Sequence, residues 1–283
     1  MSSTYDRPDS DPVFVEVFRM ILIVMFLLFS PSCVFAQSGF ATDHSSWDQV
    51  LRDYVTNGRV RYGELKQRRA KLDSYLEQLK EVTVEDLAEL EREERMAFWI
   101  NLYNASVVRI VLDQYPVKDV EAIPAMFRTR TVETLNDAFS PAELRDEILR
   151  LGFRDERLVT ALVSGRMDSP RLAPEAFSGG RLNEQLDQAA QTFVDDDTFN
   201  RIEPGKKKIF LSPLFKEFGD DFILNYGTAK PPDGFSEPEA AVIGFILDHS
   251  KDPPKRLFLN AGRYKISYFP PNSGLNEYQE PEK

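Results

Sequence analysis

The sequence predicts an α+β fold: helix-dominated, built around a buried central helix, with a small, mostly antiparallel sheet. Three observations carry this. Residues 97–112 (AFWINLYNASVVRIVL) are apolar nearly all round, as in a helix enclosed on every side. Amphipathic segments of helical period outnumber strand-like runs. The strand-like runs are few, short and set off by turn residues.

In chain order, residues 37–46 lack a period and read as a flexible lead-in. In 47–55 the apolar residues Trp47, Val50, Leu51, Tyr54 and Val55 fall on a helical face, which Asn57-Gly58 ends. Leu72, Tyr75, Leu76 and Leu79 predict an amphipathic helix over 71–81. Thr83 followed by Glu85 and Asp86 reads as an N-cap, and the helical pattern then runs to about Gln114, before Tyr115-Pro116. Ser140-Pro141-Ala142-Glu143 opens a short helix to Arg150. Leu158–Val163 is an apolar run of strand length, expected to be a buried strand. Residues 164–171 form a polar loop and 180–193 a helix. Ile202 and 208–211 flank Pro204-Gly205 as a hairpin. Ser212-Pro213 starts a short helix, 239–249 another, and 257–259 and 264–269 read as late strands. Residues 277–283 read as a disordered tail.

Ahead of the domain, Met20–Phe29 is an uninterrupted apolar run of 10 residues, with Arg19 before it and Val34-Phe35-Ala36 after Ser30-Pro31-Ser32. This predicts a signal peptide over 1–36, cleaved after Ala36. A membrane span needs about 20 apolar residues. The protein is thus expected to be exported, periplasmic or secreted, with no integral membrane domain after cleavage. Residues 1–18 are acidic where export leaders are usually basic, so translation from a start near Met20 is an alternative. Cys33, the only cysteine, lies within the leader and leaves the mature chain without a thiol. A net charge of −11 repels phosphate backbones and argues against nucleic-acid partners.

Few side chains suggest chemistry. Asn101 and Asn104, three apart, share one face of the central helix. They can hold a ligand, or their amides can bind loop backbone, since buried polar groups need partners. The two histidines are His44, near the lead-in, and His249, at a helix C-terminus. That scarcity argues against a histidine-rich metal site and leaves one candidate base for a serine hydrolase. The Asp195–Asp197 run departs from the spaced acids of a calcium loop, because Phe199 and Arg201 interrupt it. No metal, cofactor or catalytic residue is assigned.

The segment Ala97-Phe98-Trp99-Ile100-Asn101-Leu102-Tyr103-Asn104-Ala105 resembles the signature helix of the family called domain of unknown function 547. Trp47, Gly58–Tyr62, Glu147–Arg150, Pro170–Phe177, Leu211–Phe222 and Ile266–Asn276 follow its order, so the resemblance covers about 45–276. It implies one domain and no known activity. Typical members carry a Glu-His pair, a strand histidine and two loop cysteines, a set that looks like a thiol-histidine or metal site. Here Arg145 and Asp146, Val159, and Ser164 and Ser169 stand at those places, and Ser273 where a tryptophan is usual. The resemblance thus implies a divergent member with a degenerate site on a retained scaffold.

The leading expectation is a non-catalytic, exported domain of unknown activity. It would bind an unidentified protein or small molecule through a pocket lined by Arg145, Asp146, Ser164, Arg166, Asp168 and Ser169, with Asn101 and Asn104 as further ligand-binding candidates. The alternatives are a hydrolase using Ser164 or Ser169, which needs His249 within reach, and a structural protein without ligand.

Overall fold

A computed structural model describes residues 39–280, so the signal-peptide expectation for 1–36 lies outside the described residues. The architecture is helix-dominated α+β. Its helices are α1 (Gly39–Thr42), α2 (Ser45–Tyr54), α3 (Tyr62–Gln67), α4 (Ala70–Lys80), α5 (Val84–Ala88) and α6 (Arg92–Gln114), then α7 (Pro141–Glu143), α8 (Leu158–Ala161), α9 (Leu182–Asp195), α10 (Pro213–Glu217), α11 (Ile223–Tyr226), α12 (Glu237–His249) and α13 (Pro253–Asn260). Antiparallel pairs β1 (Val55–Thr56) with β2 (Arg59–Val60), and β3 (Val132–Thr134) with β4 (Asp137–Phe139), make two small ribbons. A third sheet orders β5 (Arg201–Glu203), β6 (Lys208–Leu211) and β7 (Lys265–Tyr268), with β5–β6 antiparallel and β6–β7 parallel. The single small sheet expected from the sequence is thus three, mostly antiparallel.

The central helix α6 starts at a reciprocal cap between Glu91 and Glu94 and stops before Pro116. Every residue from Met96 to Val108 is buried. Around it, Trp47, Val50 and Leu51 of α2 and Leu72, Tyr75 and Leu79 of α4 complete the larger core, with Trp47 and Tyr75 stacked at 6.2 Å. Truncating a core leucine here, Leu72→Ala for example, costs about 2–5 kcal/mol.

A second core is aromatic. Phe193, Phe215, Phe222 and Phe245 meet edge-on, with centroids 4.8–6.2 Å apart, beside Ile209 and Leu211 of β6. Helix α9 joins the two cores. Leu182 and Leu186 belong to the first, and Ala190, Phe193 and Val194 to the second.

Four local expectations are corrected. Leu158–Ala161 is a helical turn, and Leu162 after it is extended. Among the described residues, no strand pairs with this run. Asn104 bonds its backbone instead, so a ladder is not needed. Residues 257–259 are helical because Asp252 caps Lys255 and Pro253-Pro254 occupy the first turn of α13. In the expected lead-in, Ala41 and His44 are buried, and His44 Nδ1 lies 2.8 Å from the Tyr75 hydroxyl. The tail is tied at its root: Tyr278 N donates to Val60 O, and Tyr115 donates to Glu277.

Candidate functional site

The two asparagines of α6 are committed to backbone. Asn101 Nδ2 donates to Phe177 O at 2.7 Å, and its Oδ1 accepts from Phe177 N at 3.0 Å. Asn104 Nδ2 donates to Ala161 O at 3.1 Å, and its Oδ1 accepts from Val163 N at 3.0 Å. Spacing of three on one helix face is what lets both amides clamp neighbouring loops. Both residues are essentially inaccessible, so they are fasteners, not the ligand contacts considered from the sequence.

The segment 164–169 is closed by its own polar groups. Ser169 Oγ accepts from Ser164 N at 2.8 Å and donates to Pro170 O at 3.3 Å. Arg166 grips Asp168 with two bonds of 2.9 Å and reaches Glu121 at 3.2 Å. Asp168 Oδ2 also accepts from Asn272 N at 2.6 Å. The C-terminal strip lies along this loop, with Met167 N donating to Gly274 O and Asn276 N to Gly165 O. Gly165 has φ +75°, and a Cβ there would stand 3.2 Å from Val111, so glycine is required. Ser273 Oγ donates to Asp119 at 2.9 Å.

Arg145 and Asp146 sit elsewhere, on the π-helical stretch Leu144–Leu151 that continues α7. Arg145 binds Asp146 through Nε and Nη2 at 2.9 and 2.8 Å. Arg150 binds Asp146 through Nη1 and Asp221 through Nε and Nη2. Both guanidiniums cover Phe218, at 5.2 and 4.2 Å from the ring centroid. Burial disfavours charge on Arg145, yet its bonds to Asp146 hold its pKa above the usual arginine range. Burial likewise raises the Asp146 pKa, but Arg145 and Arg150 bring it below the usual carboxylate value. Two cations and two carboxylates cancel, so an anion reaching Arg145 competes with the carboxylate of Asp146.

The six residues grouped from the sequence therefore divide into two clusters that share no hydrogen-bond or ion-pair partner. None of the six lines either of the two principal clefts. One cleft, of about 140 Å³, opens between α8, residues 171–177 and α9, over Ala161, Phe177 and Phe193. The other, of about 320 Å³, lies among the start of α6, residues 154–157, α11 and the end of α12.

His249 lines that second cleft, its Nε2 3.4 Å from the Tyr226 hydroxyl and its ring 4.4 Å from that of Phe245. Burial lowers its pKa against the pull of Asp248 and Asp187. The hydrogen bonds of Ser169 Oγ and His249 thus run to different partners. The sequence did not mark Arg154, Glu156 or Asn225, which join His249 here from separate segments. No local motif could have found them.

A helix-dominated α+β domain built on a buried asparagine-bearing helix is the class these observations define. Residues 87–194 match the family described as "Protein of unknown function, DUF547". The match takes in the central helix, the Arg145–Asp146 stretch, the 164–169 loop and α9. No curated protein and no solved structure matches the chain.

Proposed function

We propose that the chain is an exported, non-catalytic domain with a binding or structural role, in which the altered positions 164 and 169 have become fasteners of the scaffold. The observation that carries this reading is the use of Ser169 Oγ. It holds Ser164 N and Pro170 O in a buried position. A nucleophilic hydroxyl needs a base to take its proton, and this one bonds backbone instead. The ion-paired Arg166–Asp168 clasp supports the same role. Export rests on the apolar run at 20–29 and the small or apolar residues Val34-Phe35-Ala36 before Gln37.

A fluorophosphonate probe, followed by peptide mapping, tests the chemistry. No adduct is expected on Ser164 or Ser169, and an adduct on either refutes the reading. Fractionation of cells expressing the full chain tests export: the product is expected outside the cytoplasm with Gln37 at its N-terminus. Cytoplasmic retention of an uncut chain refutes that part.

A further inference from the structure

The 320 Å³ cleft carries an unused set of charges. Some of its lining is internally neutralised, since Arg157 binds Asp155 and Asp187. Four groups remain. Arg92 donates to Phe153 O at 2.7 Å and lies 5.5 Å over the Phe153 ring. Among the described residues, the Arg154 side chain has no hydrogen-bond or ion-pair partner, and its backbone is held at φ +51°. Glu156 is 6% exposed, and its side chain takes a bond only from the neutral amide of Asn225, at 2.7 Å. Asp248 accepts from the Tyr226 hydroxyl at 2.9 Å.

No ion pair joins these two guanidiniums to these two carboxylates, although all four line one cleft. Three of the four are held by neutral groups: a carbonyl, an amide and a hydroxyl. This arrangement keeps opposite charges apart and pre-oriented, at the cost of a buried carboxylate without a cation. A simple anion would leave Glu156 and Asp248 unmatched. A simple cation would leave Arg92 and Arg154 unmatched. Among the described residues, no three His, Cys, Asp or Glu side chains group as metal ligands. A molecule bearing both charges completes the set.

We propose that this cleft binds a small polar α-amino acid as its zwitterion, the carboxylate on Arg92 and Arg154 and the ammonium on Glu156 and Asp248. Guanidinium suits a carboxylate through paired N–H donors. A volume of 320 Å³ equals the space of about ten liquid waters, ample for such a molecule and the water around it. The lining is almost entirely polar, which favours a short hydrophilic side chain over an aliphatic one. The inference is independent of whether Ser164 and Ser169 are inert.

Calorimetric titration of the full chain with serine and with glutamine tests it, beside their N-acetyl and carboxamide derivatives, each of which lacks one charge. Saturable binding of a zwitterion is expected, weakened about tenfold or more in both derivatives. Glu156→Gln and Arg154→Asn should lose the same factor. Asparagine tolerates the left-handed backbone at 154, so that variant keeps the fold. Absence of saturable binding by either amino acid overturns the proposal. So does equal binding of the blocked derivatives, or full binding by folded Arg154→Asn.

Discussion

Replacing His44 by glutamine should remove a pH dependence of stability that the buried imidazole creates. His44 is 7% exposed, and burial pushes its pKa down from 6.5 to about 4. The unfolded chain takes up a proton near pH 6.5, whereas the folded chain resists until about pH 4. Across that window the unfolded state binds more protons, so stability rises with pH. The contribution is fully present above 6.5, falls away as pH drops to about 4, and is constant below. At about 1.4 kcal/mol per unit, the window amounts to roughly 3 kcal/mol. Glutamine does not titrate and can still meet the Tyr75 hydroxyl, so the variant isolates the charge. Urea unfolding of both proteins at several values between pH 7 and pH 4 gives the measurement. The wild type should lose roughly 3 kcal/mol more than His44→Gln over that range. Parallel curves would refute the argument and show that His44 is protonated at little cost in the folded state.

Other perturbations follow from the same geometry. Asn104→Ala leaves Ala161 O and Val163 N buried without their partner, and should cost about 2–5 kcal/mol in urea unfolding; a loss under 1 kcal/mol would count against the clamp. Gly165→Ala meets both the positive φ and Val111, so a loss of at least about 1 kcal/mol is expected, and a neutral result would sink the assignment of that backbone. Arg150→Met removes the cation shared by Asp146 and Asp221, and its thermal midpoint should fall by several degrees. Ending the chain after Asn276 removes the Tyr115–Glu277 and Val60–Tyr278 bonds; hydrogen exchange at Arg59–Val60 should quicken while α6 stays protected.

Helix α6 was legible because its signal is local: an unbroken apolar stretch with two amides three residues apart. The commitment of those amides to backbone also follows from satisfying buried polar groups. Residues 158–163 misled because an apolar run of that length fits a strand and a buried turn equally. The choice was made by Asn104, more than fifty residues upstream. Leu257–Leu259 misled for a nearer reason, since the cap at Asp252 outweighs a short apolar triplet. The grouping of Arg145 with Ser164 assumed that altered positions share a cavity. Arg145 instead pairs with its own neighbour, Asp146, while Ser169 bonds Ser164 and Pro170 within its own loop. The cleft that holds Glu156 and His249 was illegible, because residues 92, 154–156, 225–226 and 248–249 meet only in three dimensions.

The strip at 272–278 has a temporal consequence. Leu275 belongs to the core around α6 and its N–H donates to Lys118 O, while its neighbours bond Val60, Gly165 and Met167. A chain that emerges N-terminus first has made most of that core's residues long before these ties exist. Loop 164–169 stays unlatched, and one position of the core stays open, until residues 272–278 have been made. The strip at 272–278 therefore closes this core after its other parts have been made. A chain that stops before residue 272 loses the closure of its oldest part, and should betray itself by exposing a core built nearly two hundred residues earlier.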